Sequence, residues 1–175
     1  MGDMRDEASQ IDHEWSIQTA NWRDFSQLNQ LEKACFRAED LWPFWDLVAA
    51  LTLPGLVRLK VVVDDQMVGF IGGERDQTRK LGWVTTLGVL PEYRRLGIAT
   101  ALLNQCEASL AMPAIRLSVR ASNQAAIHLY ETHGYVVIKR WERYYAGGED
   151  ALVLEKRHVK AKLKCPTGSV EWAFR

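Results

Sequence analysis

The sequence has little that would crosslink it, anchor it or fit it to a polyanion. Its three cysteines, Cys35, Cys106 and Cys165, are far apart, odd in number and without a C-x-x-C pair. That excludes a disulfide framework and reads as reduced thiols in a reducing compartment. The four histidines (His13, His128, His133 and His158) make no ligand cluster with them, so no metal is expected. No apolar run approaches the roughly 20 residues that span a bilayer, and the amino terminus is acidic and polar. The expectation is a soluble cytoplasmic protein with no membrane partner. Charge of one sign is lacking too, because 22 Lys and Arg balance 22 Asp and Glu. This argues against a protein built to neutralise nucleic acid. Neither G-x-G-x-x-G nor G-K-[ST] occurs, which removes the dinucleotide and Walker phosphate loops.

What is present is enough chain for one well-buried domain: 175 residues, 47% hydrophobic. Residues 1–14 are polar and aperiodic and read as a loose arm. A short strand at 15–20 leads to a helix, 24-DFSQLNQLEKACF-36, with Phe25, Leu28, Leu31 and Cys35 near one face and Asp24 as its cap. An aromatic stretch, 41-LWPFWDLVAAL-51, enters a second helix that Pro54-Gly55 ends. The period then changes. Alternation in 58-RLKVVV-63, a turn, and 67-MVGFIGGE-74 predict a hairpin, followed by a strand at 83–89. A long helix has Ile98, Leu102, Cys106 and Leu110 on one face. Beyond it come a strand at 114–120, a helix at 124–133 capped by Ser122 or Asn123 and stopped by Gly134, and strands at 135–145 and 151–157. The order β-α-α-β-β-β-α-β-α-β-β predicts an α/β protein with a mixed sheet and helices on both faces. Residues 158–175 carry no recognisable chemistry.

The segment 94-RRLGIA-99 sits where the long helix begins. A helix start offers main-chain N–H groups without acceptors and the positive end of the macrodipole. Gly97 and the small Ala99 leave that backbone open, while Arg94 and Arg95 are misplaced for the dipole unless an external anion is their partner. R-x-x-G-x-A after a strand and opening a helix describes a pyrophosphate site. Cys106, on the core face of the same helix, reads as packing.

This arrangement, together with 119-VRASNQAAIHLYETHGY-135 downstream, resembles the GNAT acyltransferase superfamily. Arg94, Gly97 and Ala99 match its [RQ]-x-x-G-x-[GA] signature; Asn123, Ala126, Tyr130, Gly134 and Tyr135 match its second segment. The likeness runs from about residue 15 to 157. It implies the GNAT fold: a central, mostly antiparallel twisted sheet of six to seven strands, splayed between two central strands. It implies acetyl-CoA as cosubstrate, no metal, no direct contact with nucleic acid, and a monomer or homodimer. By that resemblance the amides of Arg95, Leu96, Gly97, Ile98, Ala99 and Thr100 hold the pyrophosphate, with Arg94 beside them. Leu87, Gly88 and Val89 pair with the pantetheine arm, the amide of Val89 or a neighbour polarises the thioester carbonyl, and Asn123 hydrogen-bonds the same arm. An amine attacks directly. Tyr130 protonates the departing thiolate, because a phenol with pKa near ~10 can donate that proton.

Within the superfamily, 118-SVRASNQAAIHLYE-131 and 144-YYAGGEDALVL-154 are most similar to the RimI-type enzymes, which acetylate protein α-amines. Tyr144 and Tyr145 then become walls of a peptide slot. The residue matching Tyr93 positions or deprotonates the amine in related N-terminal acetyltransferases. Trp42, Phe44 and Trp45 either line the acceptor pocket or plug the core. Glu74 is a remote candidate base. There is one departure: Ser118 stands where those enzymes carry Glu or His, and serine is no general base at neutral pH. Either it holds a water drained by Tyr93, Glu92 or another carboxylate, or the substrate differs. An α-amine with pKa near ~8 is roughly a tenth neutral at pH 7, a lysine at ~10.4 under about one part in a thousand. A weak base therefore favours an α-amine. The sequence predicts an acetyl-CoA-dependent N-acetyltransferase of a peptide N-terminus. The alternatives are an enzyme for a small amine (polyamine, amino acid or aminoglycoside) and a domain that binds acyl-CoA without catalysis.

Overall fold

The structure, a computed structural model, describes residues 15–158. The arm at 1–14, Cys165 and the segment after His158 lie outside the described residues. Strands β1 (Ser16–Thr19), β2 (Val57–Val63), β3 (Gln66–Asp76), β4 (Leu81–Val89), β5 (Ala114–Arg120), β6 (Val136–Trp141) and β7 (Ala151–Arg157) form one sheet in the order β1-β2-β3-β4-β5-β7-β6. Every pairing is antiparallel except β4 with β5. That is the mixed, mostly antiparallel sheet expected.

Helices α1 (Phe25–Cys35), α2 (Phe44–Thr52), α3 (Ile98–Leu110) and α4 (Gln124–Thr132) fill the connections. Missing side chains show which face each long helix takes. A Cβ on Gly69 would meet Ile98 and Leu102 of α3, and one on Gly88 would meet Leu31 and Cys35 of α1. Gly88 pairs with Phe70, the neighbour of Gly69, so the two glycines face opposite sides of the sheet. Helices α1 and α3 therefore cover opposite faces. The predicted stripe of Ile98, Leu102, Cys106 and Leu110 is fully buried against the sheet.

The parallel contact between β4 and β5 is short. It runs from Leu81↔Ala114 to Val84↔Leu117 and stops. On the other edge of β4, Thr86 pairs with Gly72 and Val84 with Gly73, leaving Thr85 as an extra residue. A bulge of this kind bends its strand and increases the local twist. Here it falls directly after the last pair with β5, so the second half of β4 swings away and the sheet opens into a V.

Two local expectations are corrected. Asp24 does not cap α1. It closes a short 3-10 turn at Trp22–Asp24 capped by Asn21: its carboxylate accepts the Asn21 N–H at 2.8 Å and pairs with Lys60 at 2.6 Å. The strand predicted over 135–145 ends at Trp141. The Asp150 carboxylate accepts the Arg143 N–H at 2.8 Å and Arg143 takes a left-handed φ of 50°, so the chain turns before Tyr144. None of the described helices is long and apolar enough to cross a membrane.

Candidate active site

The mouth of the V holds two adjoining cavities. A groove of about 570 Å³ runs along Leu87, Gly88 and Val89 to the start of α3, where Arg94, Arg95, Gly97, Ala99 and Thr100 line it. A slot of about 260 Å³ lies deeper between β4 and β5. Phe36, Leu87, Asn123, Ala126 and Tyr130 border both.

The groove ends in a cradle of amides. Arg95 (φ 64°) and Gly97 (φ 80°) both adopt the left-handed conformation, which turns successive N–H groups toward one side as in an anion nest. The first acceptor taken by the helix is Gly97 C=O, bonded by Ala101 N–H at 3.0 Å. Among the described residues, no acceptor is found for the N–H groups from Arg95 to Thr100. A side chain on Gly97 would meet nothing within 4 Å on its own chain, so the space above the cradle is open. Arg94 has a more specific place than the sequence suggests: its Nε donates to the Val89 carbonyl at 3.0 Å, tying the end of β4 to the cradle. Leu96 is half exposed and Ile98 is buried in the core, so these two present only backbone to the groove. Gly88 has a different task. Its Cβ would lie 2.9 Å from Leu31, so α1 reaches β4 only because no side chain stands there.

The slot collects Trp42, Ser118, Asn123, Tyr130, Tyr144 and Tyr145. Tyr130 is buried, and that burial holds its phenol well above the usual range, so it is protonated at neutral pH. Asn123 caps α4, its Oδ1 accepting the Ala126 N–H at 3.2 Å. Ser118 lines the slot with Tyr145, whose phenol burial raises while the Ser118 hydroxyl acts to lower it. Arg120 clamps the rim. It makes a two-pronged pair with Asp40 (both contacts 2.7 Å), reaches Glu149 at 2.8 Å, and stacks its guanidinium over the Tyr145 ring at 4.3 Å. One side chain thereby fixes the α1–α2 segment, β5 and the 142–150 loop together. Hydrogen bonds from the Ser122 hydroxyl and N–H, with Arg120 adding its charge, lower the Glu149 carboxyl to a pKa of about 2.

Other candidates fall elsewhere. Phe44 and Trp45 are exposed, packed edge-on against each other and, for Phe44, against Phe25. They line neither cavity and do not plug the core. Tyr93 lines the groove beside Arg94 but not the slot that holds Ser118. Glu74 and Glu92 are exposed and border separate depressions. Burial pushes the Cys106 thiol up to about 12, consistent with packing. Sequence reasoning does not single out Glu32, which is 3% exposed and lines the slot. Its signal was its position: four residues after Leu28 and beside Leu31, it is a carboxylate on an otherwise apolar helix face.

Comparison with known proteins agrees with this architecture. Residues 16–135 match the model of the acetyltransferase (GNAT) family. An N-alpha-acetyltransferase of Saccharolobus solfataricus is 30% identical over 82% of this chain and 93% of its own. The ribosomal-protein-S18-alanine N-acetyltransferase of Escherichia coli superposes with a TM-score of 0.76 at 22% identity, covering 87% of this chain and 99% of its own. Arabidopsis thaliana Naa50, solved with the bisubstrate analogue CoA-Ac-MVNAL, gives 0.67 at 26% identity over 82% and 99%. With the V-shaped sheet and the amide cradle already in place, the family match over most of its length makes this chain a member of the GNAT acetyltransferase family.

Proposed function

We propose that this protein transfers the acetyl group of acetyl-CoA to the α-amine of a protein or peptide N-terminus, in the manner of RimI-type enzymes. The observation that carries the reading is the junction of groove and slot at Tyr130: an anion cradle at one end, a tyrosine-walled cavity at the other, and the open edge of β4 between them. Relatives named as N-alpha-acetyltransferases support the choice of amine.

The cradle from Arg95 to Thr100 takes the diphosphate, whose charge completes the unpaired amides and the helix dipole. The pantetheine arm follows Leu87–Val89, where β4 has lost its partner strand, and Asn123 meets it from α4. A main-chain N–H at Val89 or its neighbour polarises the thioester carbonyl and stabilises the tetrahedral oxyanion. The peptide enters between Tyr144, Tyr145 and Trp42. Tyr130, kept protonated by burial, donates to the sulfur as the C–S bond breaks. No acyl-enzyme forms.

The test is release of free thiol from acetyl-CoA with a panel of Ala- and Met-initiated peptides, polyamines and aminoglycosides. Turnover on the peptides is expected. Preference for a small amine would reassign the acceptor, and coenzyme binding with no turnover on any amine would identify a sensor instead.

A further inference from the structure

Ser118 lines the slot but is no base at neutral pH, which leaves the reaction without an obvious proton acceptor, and one unused group in the slot supplies it. Resting on the acetyltransferase reading, we propose that Glu32 is that acceptor: from the buried face of α1 it lines the same slot as Ser118 and Tyr130, and it takes a proton from the incoming ammonium.

Three observations converge. Glu32 is a carboxylate set among Leu28 and Leu31 on a core-facing surface, yet it borders the slot. Its Oε2 is buried without a hydrogen-bond partner among the described atoms. A buried carboxylate oxygen left unpaired is costly, and such a group persists where it has a task. Finally, burial raises its pKa to about 7, although the Trp42 N–H and the Thr86 hydroxyl both favour the ionised form. A base poised there is half ionised near neutrality and well matched to an α-ammonium near ~8.

The surrounding groups do not supply a competing base. On α1 the neighbour is Cys35, whose thiol burial also holds up. On the α1–α2 segment Asp40 is tied to Arg120 of β5, which also holds Glu149. Tyr130 of α4 and Tyr145 of the 142–150 loop have phenols raised by burial, and Tyr144 beside them is a third phenol. From β4 come Val84, Thr85, Thr86 and Leu87, none of which titrates.

The protons balance. Glu32 removes one from the ammonium, freeing the lone pair, and later yields it to solvent. The C–N bond forms. As the adduct collapses the C–S bond breaks, Tyr130 gives its proton to the thiolate and recovers one from the nitrogen. The amide keeps the last N–H, and one proton is released overall.

The experiment is the pH profile of kcat/KM for an Ala-initiated peptide with wild type and Glu32→Gln, alongside calorimetric titration with CoA. The wild type is expected to gain activity through an ionisation near pH 7. Glu32→Gln should fall 10²- to 10⁴-fold at pH 7, lose that limb, recover part of the deficit at pH 9 where the amine is neutral unaided, and bind CoA as before. A variant with the wild-type rate and limb overturns the proposal. So does a uniform loss at every pH accompanied by weakened CoA binding, the mark of a structural role. Should the amide fail to fold, Glu32→Asp serves: a slower enzyme with a displaced limb supports the role, and an unmoved limb overturns it. A wild type inactive on every amine defeats the acetyltransferase reading itself, and Glu32's task with it. That outcome is distinct from a Glu32→Gln that matches an active parent.

Discussion

A Cβ on Gly72 would lie 2.8 Å from the Thr85 hydroxyl, so the bulge that opens the sheet exists because β3 offers Thr85 a glycine. Gly72→Ala is expected to force Thr85 aside at a cost of about 1–3 kcal/mol. It should lower the melting temperature by several degrees and reduce turnover in the same protein. An alanine variant of unchanged Tm and activity would show that the bulge tolerates a side chain there.

Gly97→Ala should separate the cradle from the fold. The left-handed φ of 80° costs an alanine about 1 kcal/mol, and no protein atom obstructs it. Stability therefore falls little. Gly97→Glu adds bulk and negative charge where the diphosphate is placed, and calorimetry should record no CoA binding. Unaffected binding by the glutamate variant would remove the cradle from the account.

Removing the Tyr130 hydroxyl as Tyr130→Phe should lower turnover by one to three orders of magnitude while CoA affinity stays within a few-fold, since the ring still fills its place against Tyr135. Stopped-flow measurement of thiol release gives the rate. An unchanged rate assigns the proton to another donor.

Glu32 also predicts a trade between activity and stability. Its folded pKa of about 7 exceeds the ordinary 4.5, so the folded state holds the proton more tightly than the unfolded one between those values. The contribution of Glu32 to stability is therefore fullest below pH 4.5 and declines as pH rises toward 7. A shift of that size is worth up to about 3 kcal/mol. Urea denaturation should find Glu32→Gln more stable than wild type at pH 8 and without that advantage at pH 4.5. Equal stability at both values would mean that Glu32 titrates normally.

Much of this was legible because local rules and tertiary packing agree. The 3.6-residue stripe of α3, the alternation of β2 and the R-x-x-G-x-A cradle all survive in the fold. Elsewhere, contacts distant in sequence decide. Asp24 is taken from α1 by Lys60 and Asn21. Tyr144 leaves the strand because Asp150 captures the Arg143 N–H. Phe44 and Trp45 face outward although their composition suits a core. Glu32 is the sharpest case: its burial comes from the closing of α1 onto β4, and that burial raises its pKa against the opposing hydrogen bonds of Trp42 and Thr86, none of which a helical period reveals.

The most direct measurement is mass spectrometry of a peptide carrying both a free N-terminus and a lysine, after incubation with acetyl-CoA and the protein. One acetyl group on the α-amine, located by fragment ions, is the predicted result. An acetyl group on the lysine, or none on any peptide while CoA still binds, would contradict it.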